Sequence, residues 1–176
     1  YGAGKTITTG DRNTLVGGLA GDALTDADRN VAMGHGALSD DTQGSRSVAI
    51  GYQALSAQNF SSATNSLNTA VGYQAGVSVT TGIANTLLGN ASGDALTTGN
   101  NNVAIGHDSL GAEIQGDKNV AVGVGALQNQ SNSSDTDVNN TAVGFNAGLS
   151  LTTGIFNTIM GTAAGDALTV AQYNVA

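Results

Sequence analysis

A five-residue phrase, Asn-(Thr/Val)-Ala-(Val/Ile)-Gly, returns along this chain at fixed intervals, and that interval limits the possible folds more than any single residue does. Its clearest copies are Asn68-Thr69-Ala70-Val71-Gly72, Asn102-Val103-Ala104-Ile105-Gly106 and Asn119-Val120-Ala121-Val122-Gly123. Copies begin at Asn13, Asn30, Ser47, Asn68, Asn85, Asn102, Asn119, Asn140, Asn157 and Asn174, spaced by 17 residues except after Ser47 and Asn119, where the spacing is 21. Four consecutive spacings that include one of 21 add to 72, and the residues follow this longer period as well. Gly21-Asp22-Ala23-Leu24-Thr25 returns as Gly93-Asp94-Ala95-Leu96-Thr97 and as Gly165-Asp166-Ala167-Leu168-Thr169. Such a period marks a solenoid, in which each repeat packs only on its neighbours.

Within a unit the residues before Gly alternate as in a strand: Val48 and Ile50 project one way and Ala49 the other. Both sets are apolar. The strand is therefore expected to be covered on one side by the interior of its own coil and on the other by a second sheet or another chain. All nine complete copies have Gly at the fifth position (Gly17, Gly34, Gly51, Gly72, Gly89, Gly106, Gly123, Gly144, Gly161). These glycines read as structural corners, where the backbone turns with positive φ or passes close to a neighbour. A second Gly ten residues later in several units (Gly44, Gly82, Gly99, Gly116, Gly154) predicts a second corner.

Seventeen residues with two short strands and two bends predict one coil of a parallel β-solenoid; helical repeats take about 33 residues or more and tolerate Gly poorly. Coils would advance by about 4.8 Å. The 21-residue units carry their four extra residues in Asn59 to Leu67 and Asn129 to Asn139, expected to form longer loops on one side, once every four coils. The expected fold is all-β, with residues 1–176 as a single continuous solenoid. Tyr1-Gly2-Ala3-Gly4 matches Tyr73-Gln74-Ala75-Gly76, and Asn174-Val175-Ala176 matches the start at Asn102, so neither end reads as a cap and a window of a longer repetitive chain is expected.

Composition agrees with packing by repetition. With 26 Gly, no Pro, Trp or Cys and 4% aromatic residues, the chain has little bulk for an ordinary core. A net charge of -8 argues against a basic patch for nucleic acid or anionic membranes. The lack of cysteine removes disulfides and thiolate metal sites, and no apolar run approaches the roughly 20 residues of a membrane span.

Ser47-Val48-Ala49-Ile50-Gly51-Tyr52-Gln53-Ala54-Leu55 and Asn102-Val103-Ala104-Ile105-Gly106-His107-Asp108-Ser109-Leu110 resemble the head repeats of trimeric autotransporter adhesins. Asn68-Thr69-Ala70-Val71-Gly72-Tyr73-Gln74-Ala75-Gly76 is also similar to repeats of phage tail fibres and bacterial surface fibres. The resemblance covers nearly the whole chain. It implies left-handed β-rolls joined as homotrimers, located outside the cell, on its surface or on a virion.

Residues able to carry chemistry are few. His35 and His107 occupy the position after the corner Gly, four coils apart and so roughly 19 Å along the axis, too far to share an ion. Tyr52, Tyr73, Val124 and Phe145 share that position, which predicts stacking along the axis. Asp22, Asp94 and Asp166 each follow a Gly, but without the calcium-roll signature they read as solvated corners. Asp26, Asp28, Asp40 and Asp41 form the densest acidic region and are the better place for an adventitious cation or a depolymerase site. Asn59, Asn129, Asn132 and Asn139 begin glycosylation sequons within the long-loop stretches, as Asn90 does elsewhere. The pairs Thr80-Thr81, Thr97-Thr98 and Thr152-Thr153 could bear sugars or form a water-ordering array. The expected function is a structural segment of an extracellular fibre, not an enzyme, with no cofactor and no metal, a homo-oligomeric partner and a possible surface glycan. A carbohydrate- or ice-binding module is the alternative.

Overall fold

The computed structural model describes residues 2–176; Tyr1, the first residue of the match to Tyr73, lies outside the described residues. The described chain has no helix. Its strands in order are β1 (Thr14–Val16), β2 (Val31–Met33), β3 (Gly44–Ser45), β4 (Val48–Ile50), β5 (Thr64–Asn65), β6 (Thr69–Val71), β7 (Thr86–Leu88), β8 (Val103–Ile105), β9 (Gly116–Asp117), β10 (Val120–Val122), β11 (Thr136–Asp137), β12 (Thr141–Val143) and β13 (Thr158–Met160). Nine of them, β1-β2-β4-β6-β7-β8-β10-β12-β13, form one parallel sheet. Register is strict: Ala32 lies beside Ala49, Ala49 beside Ala70, and Leu87 beside Ala104. Each coil contributes one strand, so the chain is a parallel β-solenoid of about nine turns, roughly 43 Å long at about 4.8 Å per turn.

The second strand expected in every coil forms only beside the insertions, where β3 pairs with β5 and β9 with β11. The residue before each opening Asn or Ser holds positive φ in coils with a second strand (Arg46, Leu67, Lys118, Asn139) and without one (Arg29, Ala84, Phe156) alike, so this left-handed residue ends the second side of every coil and what differs beside the insertions is the pairing itself. In coils without a second strand, a Thr joins the next coil by donating both its backbone N–H and its hydroxyl to one carbonyl: Thr25 to Thr42 O (2.9 and 3.1 Å), Thr97 to Ile114 O (2.8 and 2.9 Å) and Thr152 to Thr169 O (2.7 and 3.0 Å).

The nine corner glycines have φ between +126° and +145°, a region closed to side chains. A Cβ at Gly106 would stand 2.5 Å from the carbonyl oxygen of Gly123 in the next coil, so corners stack backbone on backbone. The Asn opening each unit supplies the other clamp. Its Oδ1 accepts the backbone N–H of the next coil's opening residue, as from Asn85 to Asn68 (2.9 Å) and from Asn102 to Asn85 (3.0 Å). Its Nδ2 donates across its own coil, from Asn85 to Gly99 O and from Asn102 to Gly116 O (both 2.9 Å). Both amide atoms are thereby satisfied in a buried setting where an unpaired one costs about 1–3 kcal/mol.

Core volume accounts for the 72-residue period. The third position of a unit is Ala where the ninth is a buried Leu, as in Ala32/Leu38, Ala49/Leu55, Ala104/Leu110 and Ala121/Leu127. Where the third position is Leu or Ile, the ninth is Gly in that coil and in the coil before it. A Cβ on Gly76 would lie 2.6 Å from Leu87 Cδ1, and one on Gly93 2.8 Å from its Cδ2. Ile159 stands likewise between Gly148 and Gly165, and Leu15 between Gly4 and Gly21. One large side chain therefore fills the space vacated by two glycines, as close packing requires.

Candidate functional site

Three surfaces of this rod carry chemistry. The first is the outer face of the long sheet. Strand centres such as Ala49 and Ala104 are fully buried in the coil, while their flanks point outward. The outward row Val16, Met33, Ile50, Val71, Leu88, Ile105, Val122, Val143 and Met160 is apolar throughout and runs along the rod, exposed to 52% at Val16 and 36% at Ile105. The second covering layer expected from the two-sided apolar pattern is absent among the described residues. Beside this row the corner column carries His35, Tyr52 and Tyr73, with ring centroids 5.8 and 5.3 Å apart and nearly parallel planes. The stacking expected there is thus present. His107 instead sets Nδ1 3.2 Å from Asp108 Oδ2, and Val124 and Phe145 continue the column as exposed apolar residues.

The second surface is the side bearing the insertions, and the structure revises the reading of the acidic residues there. Asp41 is not a solvated surface carboxylate: it is fully buried, as is Glu113, its counterpart one super-repeat on. Both occupy a position that is Leu24, Val79, Leu96 or Leu151 in other coils and faces the interior. Glu113 accepts the backbone N–H groups of Gly116 (2.9 Å) and Asn132 (3.0 Å), the Asn132 amide (3.0 Å) and Gln130 Nε2 (2.6 Å). Gln130 Oε1 then accepts Asn140 Nδ2 (2.8 Å). Asp41, Gln58 and Asn68 repeat the arrangement, with Gln58 Nε2 2.6 Å from Asp41 and Asn68 Nδ2 2.8 Å from Gln58 Oε1. Each buried acid–glutamine–asparagine relay anchors the root of an insertion whose tip, Ser61 to Ala63 or Ser133 to Asp135, is exposed. Beyond the second tip, Asp137 pairs with Lys118 at 2.7 Å. Nearby, Asp117 has its carboxyl raised above the ordinary range by burial and by the charges of Asp135 and Asp137.

The third surface is a notch of about 290 Å³ lined by Asp94, Asp108, Gly111, Ala112, Gln128 and Asn129. Burial first, and the charge of Asp108 after it, raise the Asp94 carboxyl above the usual range, against hydrogen bonds from nearby backbone N–H groups. The sequence pattern presents Asp94 as a solvated corner and does not single out Asp108 or Gln128. The signal that points to them is the super-repeat, because Gly36, Ser39 and Ser56 hold the corresponding places of Asp108, Gly111 and Gln128.

Other candidates separate. Asp26 accepts the hydroxyls of Thr9 (2.7 Å) and Thr8 (2.9 Å), which hold its carboxyl below the ordinary range. Asp28 accepts the Asp11 N–H (2.8 Å), and Asp40 accepts Ser39 Oγ (3.1 Å). These carboxylates and Asp41 do not converge, and among the described residues no group of three His, Cys, Asp or Glu side chains is placed to hold a metal. The first Thr of each pair spends its hydroxyl on the next coil, so no continuous threonine array is presented. Of the sequon asparagines, Asn59 and Asn129 are exposed, while Asn139 is half-buried with φ +54°. Asn132 is buried with its amide committed to Glu113, so a sugar there would break the relay. No helix of the described chain is long and apolar enough to cross a membrane. No family model, curated protein or solved structure matches the chain.

Proposed function

We propose that this chain is a structural segment of an extracellular fibre, a surface-adhesin or tail-fibre shaft, and that copies associate side by side through the outer face of the long sheet. The observation that carries this reading is the unbroken apolar row from Val16 to Met160, exposed at Val16, Met33, Ile105 and Met160 and half-buried at the other five residues, with nothing beyond it on the outer face among the described residues. Its strands offer a footprint of only roughly 430 Å², from nine turns at about 4.8 Å and three residues at about 3.3 Å. A stable interface buries about 800 Å² per partner, so the adjoining corner column of Tyr52, Tyr73, Val124 and Phe145 belongs to the seam. The trimer implied by the resemblance gives each copy two such seams. The role is mechanical rather than catalytic: backbone ladders, asparagine clamps and corner stacks make a stiff rod, and the relays hold two insertions at fixed height for attachment at a cell or virion surface.

Analytical ultracentrifugation tests this reading. The parent chain should sediment as a defined oligomer, and a variant carrying Ile50→Lys and Ile105→Lys should sediment as a monomer with an unchanged circular dichroism spectrum. A monomeric parent would overturn it.

A further inference from the structure

We propose that the notch on the coil opened by Asn102 is a binding subsite for one neutral or amino sugar residue. The inference does not rest on the fibre reading, since it concerns a different face of the rod. Its shape follows from the repeat. Asp94, Gly111 and Gln128 occupy the same position in three successive coils, as do Ala95, Ala112 and Asn129. The middle coil has only Gly111 and Ala112 for a floor, while Asp94 rises on one side and Gln128 and Asn129 on the other. The walls spring from coils two steps apart, roughly 9.6 Å of backbone separation. Asp108 closes the side toward the corner. In the preceding super-repeat the floor carries Ser39 and Asp40 and the closing residue is Gly36, and Ser39 Oγ bonds Asp40 Oδ1 across that space (3.1 Å).

The lining selects the ligand. His107 Nδ1 (3.2 Å) and Gln128 Nε2 (3.4 Å) both approach Oδ2 of Asp108, leaving Oδ1 without a hydrogen-bond partner among the described residues. Carboxylates accept only, whereas the amides of Gln128 and Asn129 both donate and accept. Hydroxyl groups, which also donate and accept, use all four side chains. A bare cation would leave the Asn129 amide donor idle, and a uronic acid would meet two carboxylates of its own sign. A volume of about 290 Å³ suits a single ring, at the low end of small-molecule sites, about 300–1,000 Å³.

The test is a titration of the ¹⁵N-labelled chain followed by amide chemical shifts, using glucose, galactose, N-acetylglucosamine, glucosamine, glucuronate and calcium chloride as separate probes. At least one neutral or amino sugar should move amides confined to 93–95, 107–112 and 127–130, and glucuronate should not. Asp108→Ala should weaken that binding by about tenfold or more, the loss of a charge-assisted hydrogen bond. Gly111→Leu should plug the notch. The fold accommodates a leucine there, since Leu149 stands at the same position two coils on and Gly111 is not in the left-handed region; the new Cβ would lie 3.3 Å from the Asp108 carbonyl oxygen and 3.6 Å from Asp94 Oδ1. The proposal is overturned if no sugar moves these amides, if the shifts survive both substitutions, or if calcium alone moves them and sugars act only in its presence.

Discussion

The packing rule for the core predicts that a large cost at Leu87 can be reversed by a second substitution elsewhere in the same coil. Leu87 is fully buried, and Gly76 and Gly93 flank it without side chains that could collapse into a hole. Leu87→Ala should therefore fall in the upper part of the range for such truncations, about 4 kcal/mol. Gly93→Leu alone should overpack against Leu87 Cδ2, 2.8 Å from the new Cβ, at about 2 kcal/mol. Together they recreate the Ala104/Leu110 pairing of the next coil, where a leucine at φ +54° already fills the core. The double variant should then cost only about 1–2 kcal/mol, the left-handed leucine accounting for roughly 1 of it. The coupling of about 4 kcal/mol is well above the ~0.5 kcal/mol expected of independent sites. Urea denaturation followed by circular dichroism, with the slope checked for constancy across the four chains, measures it. Additive losses of about 6 kcal/mol in the double variant would refute the volume-exchange account of the 72-residue period.

Glu113→Ala should cost about 3–5 kcal/mol, because the donors of Gly116, Gln130 and Asn132 stay buried without an acceptor; hydrogen exchange should show protection lost first at 130–139, and unchanged protection there would contradict the anchoring role. Gly106→Ala should lose about 3 kcal/mol or more in thermal or chemical unfolding, since φ of +135° and the Gly123 carbonyl both oppose a side chain. Asp94 titrates higher in the folded chain than in the unfolded one, with burial the leading cause. The folded state therefore binds its proton more tightly, and this contribution to stability is complete below the unfolded value of 3.8 and is lost as pH rises through the folded one. Asp94→Asn should accordingly match the parent in acid and exceed it at neutral pH; unfolding curves across pH that stay parallel would show that the carboxyl is not perturbed.

The recurrence of Asn, Ala and Gly at spacings of 17 and 21 was enough to determine the solenoid, its coil boundaries and the place of both insertions, because a repeat that cannot bury its own apolar face must stack. It also determined that corner residues such as His35, Tyr52 and Tyr73 would align, since equal positions in successive coils superpose. Only the tertiary structure decided which way the acidic residues face. Asp40 and Asp41 are adjacent and chemically alike in the sequence, yet one is exposed and the other lies at the core, because the coil closes on the position that Leu24 and Leu96 occupy in other turns. The relays through Gln58 and Gln130 were illegible for the same reason: the acid lies seventeen residues before each glutamine and the asparagine ten after it, in other coils. Asp94 and Asp108 likewise belong to different coils, and it is the stacking of those coils, with only glycine and alanine between, that sets two carboxylates and two amides around one notch.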